Sequence, residues 1–183
     1  MSTFQTASKD TTACKARGNI LYRLKRYEEA LNAYEQATSL DPKDVTVYHL
    51  KGKILNDLKR HEEALAAYEY IIGLNPNNLA AYLGKGHALQ GLWRLKEALA
   101  TYEQAISMDP DAAADKGNGD ALYSLGKYKR ALTAYDQAIN LDPDNADAFN
   151  SKANLLYELK RTQDAIVAVS YTHLRAHETG RNL

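Results

Sequence analysis

Four prolines stand at Pro42, Pro76, Pro110 and Pro143, separated by 34, 34 and 33 residues, and each closes a similar tripeptide: LDP, LNP, MDP, LDP. No other feature of this 183-residue chain restricts its fold as strongly. Ala30, Ala64, Ala98, Ala131 and Ala165 keep the same period, and so do Tyr34, Tyr68, Tyr102 and Tyr135. Self-similarity at a fixed spacing of about 20–50 residues marks an array of supersecondary units, none of which can bury its apolar face alone.

Each unit divides into two helical stretches. In the second, Ala30, Leu31, Tyr34, Ala37 and Thr38 follow the i, i+1, i+4, i+7, i+8 spacing of one apolar face. The first, from about residue 12 to 24, carries Ile20, Leu21 and Leu24 with small Ala16 and Gly18. A basic turn such as Lys25-Arg26 joins them, which makes the two helices antiparallel neighbours. Proline ends the second helix, because it lacks an amide hydrogen and biases the preceding Asp or Asn away from the helical region. Gly18, Gly52, Gly86 and Gly119 recur inside the first helix, where glycine costs ~1 kcal/mol relative to alanine. Something there needs the missing side chain, and close approach to the alanine of the paired helix is the expected reason. The repeated tyrosine is expected to fill the space between neighbouring units.

Gly, Leu, Ala, Tyr and Pro at these spacings resemble the tetratricopeptide repeat (TPR) signature over residues 11–168. The resemblance implies an all-α fold, a right-handed α-solenoid of stacked antiparallel helix pairs. It also implies a flexible lead at 1–10 and repeats over 11–44, 45–78, 79–111, 112–145 and an incomplete 146–168. The early aromatic of the first helix is Tyr48, Tyr82 and Phe149 in three copies but Cys14 and Asp115 in the others, and the family's first-helix tyrosine is leucine throughout: Leu21, Leu55, Leu89, Leu122 and Leu156. Repeat four, "AAADKGNGDALY", is one residue short and holds Gly117 and Gly119 in one helix. It is expected to fray or bend, either as a hinge separating two binding segments or as a decayed copy.

Proteins of this kind hold peptide segments or helices of partners on the concave face formed by first helices. The resemblance therefore implies a groove lined by Lys15, Asn19, Tyr22 and Arg23, then His49, Lys53 and Asn56, then His87 and Gln90, and finally Tyr123, Asn150, Asn154 and Tyr157. Asp120, Asp147 and Glu158 make its C-terminal end acidic against a basic N-terminal end. A protein or peptide partner with acidic groups toward the first two repeats is the complement, gaining orientation and on-rate. The chaperone-tail carboxylate clamp of some TPR domains is not expected. Lys15 and Asn19 match it, but Leu50, Ala80 and Gly84 stand at the positions of its remaining Asn and two bases. The reading is thus a protein–protein interaction scaffold; the alternative is a regulatory or docking fragment of a larger protein with catalysis elsewhere.

Composition narrows the remaining classes. Lys plus Arg equals Asp plus Glu, 23 each, so no overall field favours nucleic acid or an anionic membrane. Basic turns such as Lys25-Arg26, Lys59-Arg60 and Lys160-Arg161 and acidic ones such as Asp41 and Asp44 complement helix dipoles, and no aromatic ladder accompanies them. Trp93 in the turn of repeat three is either an interface anchor or a side chain folded back on the adjacent repeat, the commoner arrangement. Cys14 is the single cysteine, which excludes a disulfide framework and fits a reducing, cytoplasmic setting. No run reaches transmembrane length, and the start, MSTFQTASKDTTACKARGN, lacks the apolar stretch of a signal peptide, so no secretory signal is expected. Phosphate loops, nucleophile elbows and paired catalytic carboxylates are missing, so neither catalysis nor a cofactor is expected.

The last residues, "VSYTHLRAHETGRNL", place His173 and His177 four apart, a spacing that suits a metal pair. They lack a third ligand, however, and "VSYTHLRAHET" resembles a translated transposase sequencing adapter. The expectation is that the natural sequence departs at about Ala168, inside the last helix, and that 169–183 is non-native. An array cut there would leave Leu155, Leu156, Ile166 and Val169 poorly covered and open to self-association.

Overall fold

The computed structural model describes residues 2–159, with side chains from residue 10 onward. Among these residues there are nine helices and no strand: α1 (Ser2–Arg23), α2 (Tyr27–Leu40), α3 (Val45–Asp57), α4 (His61–Leu74), α5 (Leu79–Gly91), α6 (Leu95–Met108), α7 (Ala112–Ser124), α8 (Tyr128–Leu141) and α9 (Ala146–Glu158). The chain divides into two compact units, Met1–Trp93 with α1–α5 and Arg94–Leu183 with α6–α9. In the first, α1 packs on α2, α3 on α4, and α5 on both α3 and α4. In the second, α7 packs on α6 and α8, and α9 on α8 and α7. α3, α5, α7 and α9 begin at the residues where the proline period starts repeats two to five. α1 is longer: residues 2–10, expected as a flexible lead, contain no Pro or Gly and continue the helix upstream of Thr11.

Side-chain caps and backbone chirality define the ends. The Asp44 and Asp111 carboxylates and the Asn78 and Asn145 amide oxygens accept backbone N–H bonds at the starts of α3, α7, α5 and α9, satisfying donors that lack intrahelical partners. The turns inside each pair place Lys25, Lys59, Trp93 and Gly126 at φ of 59°, 62°, 58° and 71°. The amide of each donates to a carbonyl three residues back, and the following amides of Arg26, Arg60 and Lys127 reach Leu21, Leu55 and Leu122, the double bond of a Schellman ending. Only the fourth copy has the glycine that this left-handed position favours. The geometry also aims Trp93 outward, and it is 77% exposed rather than folded back on its neighbour.

The core of each unit is built on alanine and tyrosine. Ala30, Ala64, Ala98 and Ala131 are wholly buried, as are Tyr34, Tyr102 and Tyr135, and Tyr68 is nearly so. Gly18, Gly52 and Gly119 of the recurring set serve these rings rather than the alanines. A Cβ on Gly52 would lie 2.8 Å from Cζ of Tyr68, and one on Gly84, from the next repeat, would overlap the same ring. Gly18 likewise makes room for Tyr34, Gly117 for Tyr102 and Gly119 for Tyr135. The tyrosine thus fills the space between units, as expected, and glycine is the recess that admits it.

This corrects the reading of repeat four. α7 is a continuous helix as long as α3 and α5, capped by Asp111. Its two glycines are each covered by a buried ring, which replaces the packing their missing side chains would have made. The missing residue falls in the α6–α7 connection, which has three residues where α2–α3 and α4–α5 have four. Leu155 and Leu156 are also covered: the first belongs to a cluster with Leu122 and Tyr135, the second to one with Phe149 and Ala153. Ile166, Val169, His173, His177 and the adapter-like tail lie outside the described residues.

Candidate functional site

The candidate residues of the first unit sit on α1, α3 and α5, and the contacts join them in pairs. Lys15 does not stand free. Its Nζ is 2.7 Å from Oδ2 of Asp44, so it braces the capping residue of α3. Burial pushes the Asp44 carboxyl up, but the Lys15 bond and charge and the Val47 and Thr46 amides outweigh this and hold it below the usual range. Asn19 is exposed and oriented from behind, since the Tyr34 hydroxyl donates to its Oδ1 at 2.7 Å and leaves the amide nitrogen outward. Arg23 is exposed.

α1 meets α3 around Tyr22. Its ring lies 5.6 Å from that of Tyr27, Lys53 Nζ is 5.5 Å from its centroid, and its hydroxyl donates to Asp57 Oδ2 at 3.4 Å. Lys53 is exposed, so the ammonium is available on an aromatic platform. His49 packs edge-on against Tyr68 at 5.8 Å. Burial, with Lys53 nearby, lowers its pKa, so the ring is neutral near neutral pH and adds no charge to this face. Asn56 is spent on structure. Its Nδ2 donates to the Gly84 carbonyl at 3.2 Å, and its Oδ1 lies 3.2 Å from His61 Nδ1. It also bonds Tyr68, whose hydroxyl burial pushes up to about 12. His87 is exposed and Gln90 half-buried on α5.

The second unit repeats part of this arrangement. Tyr123 on α7 lies 5.8 Å from Tyr128 and donates to Glu158 Oε1 of α9 at 2.5 Å, the bond that chiefly raises its pKa. Asn150, Asn154 and Tyr157 of α9 are exposed, Tyr157 at 66%. Asp120 accepts from the Tyr135 hydroxyl at 2.9 Å and pairs with Lys116 at 2.7 Å. Burial above all, then Asp120, raises the pKa of Tyr135. Asp57 is among the members of these junctions that the groove pattern omitted. Its partner Tyr22 lies 35 residues away, and the matching Tyr123–Glu158 spacing was the signal in the sequence.

These groups are suited to recognition. They offer outward amides, aromatic faces and cations, but no nucleophile held by a base. Among the described residues no group of three His, Cys, Asp or Glu side chains is placed to hold a metal ion. No described helix is long and apolar enough to cross a membrane. The basic turns have a local function: Arg26, Arg60 and Arg94 pair with Glu29, Glu63 and Glu97 three residues on, at 2.6, 2.6 and 2.7 Å.

Comparison with known proteins agrees with the helix pairing. Residues 18–55 and 119–160 match a family model described as TPR repeat, and residues 55–117 match one described as tetratricopeptide repeat. No curated protein sequence matches the chain. Among solved structures, MamA (41-end) from Desulfovibrio magneticus RS-1 is 19% identical with a TM-score of 0.77, over 92% of this chain and 96% of that one. TTC0263, a thermophilic TPR protein in Thermus thermophilus, is 22% identical with a TM-score of 0.78, over 88% and 89%. YrrB, a TPR protein with an unusual peptide-binding site, is 23% identical with a TM-score of 0.63, over 87% and 82%. At these identities the likeness is one of fold, the all-α repeat solenoid.

Proposed function

The chain belongs to the tetratricopeptide repeat family, and on that premise we propose that it binds a peptide segment of a partner protein on the first-helix face of its N-terminal unit. The family fold is that of a protein–protein interaction module, and its members are generally non-catalytic scaffolds. The observation that carries the finer reading is the junction of α1 and α3. There exposed Lys53 stands over Tyr22, with Arg23 and the outward amide of Asn19 beside it on α1. An acidic side chain of an extended peptide is the complement of Lys53 and Arg23. Asn19 suits a peptide carbonyl, because its amide nitrogen donates while its oxygen is held by Tyr34. Lys15 is left out of the contact set, since releasing it would uncouple Asp44. That YrrB is described as having a peptide-binding site makes this use of the fold reasonable for a relative.

The test is a random peptide display selection on the whole chain, repeated with the Arg23→Glu/Lys53→Glu variant. Acidic peptides should be enriched by the wild type, and their affinity should fall about tenfold or more, on the order of 1.4 kcal/mol, in the variant. Equal enrichment by both proteins, with thermal melting unchanged, would sink the proposal.

A further inference from the structure

Repeat four contains a cavity that no other copy prepares one to expect, and it is lined wholly by residues of the second unit. It occupies about 310 Å³ between α6 and α8, with α7 as its floor. In repeat two the corresponding place is filled by aromatic rings: Tyr48 of α3 lies 4.4 Å from Tyr70 of α4, whose hydroxyl donates to the Pro42 carbonyl. In repeat four the same two registers are Asp115 and Gln137, and both line the cavity.

The walls are of two kinds. Ile106 and Leu122 are apolar, while Asp115 and Asn118, only 5% and 7% exposed, supply carboxylate and amide oxygens. Among the described residues the Asp115 carboxylate has no hydrogen bond or ion pair. The one cation of the lining, Arg130, is engaged with Glu103 at 3.2 Å. Nearby Asp111 adds negative charge as it caps α7. Burial and Asp111 together raise the Asp115 pKa, which is the signature of a carboxylate lacking a positive neighbour. A volume near the lower end of the ~300–1,000 Å³ typical of ligand pockets suits one side chain.

We propose that this cavity is a socket for an arginine side chain of a partner protein, its stem against Ile106 and Leu122 and its guanidinium on Asp115 and Asn118. Arginine matches on each count. Its aliphatic stem covers apolar wall while the charged head stays at the polar end. Its planar fork pairs with a carboxylate through two parallel bonds, and it is weakly hydrated enough to enter. On α7 the socket residues Asp115 and Asn118 lie about 140° around the helix from Asp120 and Tyr123, five residues on in each case. The socket therefore opens on a different side of α7 from the one that carries Asp120 and Tyr123.

The probe is n-butylguanidinium, compared with neutral, isosteric n-butylurea, each titrated into the ¹⁵N-labelled whole chain by NMR. Saturable shifts should centre on the backbone amides of Asp115, Asn118 and Leu122, with the guanidinium bound at least about tenfold more tightly than the urea. Asp115→Asn, which keeps shape and removes charge, should abolish that preference. Asp115→Phe should eliminate both shifts while leaving the melting curve cooperative. A capped Gly-Gly-Arg-Gly-Gly peptide should bind at least as well as the free guanidinium. Equal binding of the urea, an unchanged preference in Asp115→Asn, or unsaturable shifts spread over surface carboxylates would overturn the socket. Binding of butylguanidinium but not of the peptide would overturn its assignment to a partner's arginine.

Discussion

Repeats two and four use one plan and fill it with different chemistry. In repeat two, Tyr48 and Tyr70 close the space beside α3, and Arg60 is matched by Glu63 three residues on as well as reaching Glu28 on α2. In repeat four, Asp115 and Gln137 leave that space open, and the Glu63 register holds Arg130, which reaches across to Glu103 on α6. Yet the ring that locks each pair is kept in both: Tyr68 over Gly52 and Tyr135 over Gly119. Conserving a fold in this array therefore depends on the tyrosine and its recess. The aromatic at the start of the first helix is dispensable, and in repeat four Asp115 stands in its place beside a polar cavity.

The largest test of that contrast removes the shared part. Tyr68→Ala should cost about 3–5 kcal/mol in denaturant unfolding, the range for a buried aromatic truncated in a packed core. Gly84→Ala should cost about 1–3 kcal/mol although alanine is the better helix former, because the Tyr68 ring is held from both sides and cannot yield. Gly73→Ala, where an added Cβ meets nothing within 4 Å, should gain stability instead. A loss at Gly73 equal to that at Gly84 would show that propensity, not the recess, governs these positions.

A smaller effect is expected where the two repeats differ. Asp115→Phe restores the ring of repeat two and should stabilise by about 0.5–2 kcal/mol, as cavity filling commonly does, with a rise in Tm. The reverse change, Tyr48→Asp, should destabilise. If Asp115→Phe lowers Tm, the cavity cannot accept a ring and the correspondence of the two registers fails.

The smallest difference is one of pH, and it has opposite signs in the two units. Asp44 has its folded pKa lowered by Lys15 and the α3 amides. Its contribution is present above the ordinary aspartate value of about 3.9 and disappears as pH falls through the folded one. Asp115 has its folded pKa raised by burial and Asp111. Its contribution is complete below about 3.9 and disappears as pH rises through the folded value. Relative to wild type, Asp115→Asn should therefore gain stability from acid toward neutrality, while Asp44→Asn should lose it. Parallel pH-stability curves for the two variants would contradict both assignments.

Much of this was legible in advance because repetition amplifies weak signals. Proline, alanine and tyrosine at one period located the pairs, and the small residues announced a close approach. The period could say that room was needed at Gly18 or Gly52, not that a ring rather than an alanine entered it. Repeat four was misread for a related reason: its missing residue belongs to the connection before α7, and its glycines are supported by Tyr102 and Tyr135 from neighbouring helices. Lys15 looked like a groove cation because its partner Asp44 is 29 residues away and caps another helix. Asp115 was visible as a lost aromatic, but an unfilled volume is a property of three packed helices and leaves no mark in the sequence of one.

The position of Tyr68 between Gly52 and Gly84 also bears on how such an array can grow. Half of the recess for that ring is supplied by the copy that follows, so the second repeat is not a freely exchangeable module. A duplication that set a copy with leucine at the Gly84 register behind it, as repeat two itself has at Leu50, would place a side chain where the ring lies. Lineages that lengthen this chain by inserting a copy directly behind the second repeat are thereby confined to units that bring a small residue to that register, a restriction the junction of Tyr34 with Leu50 does not share.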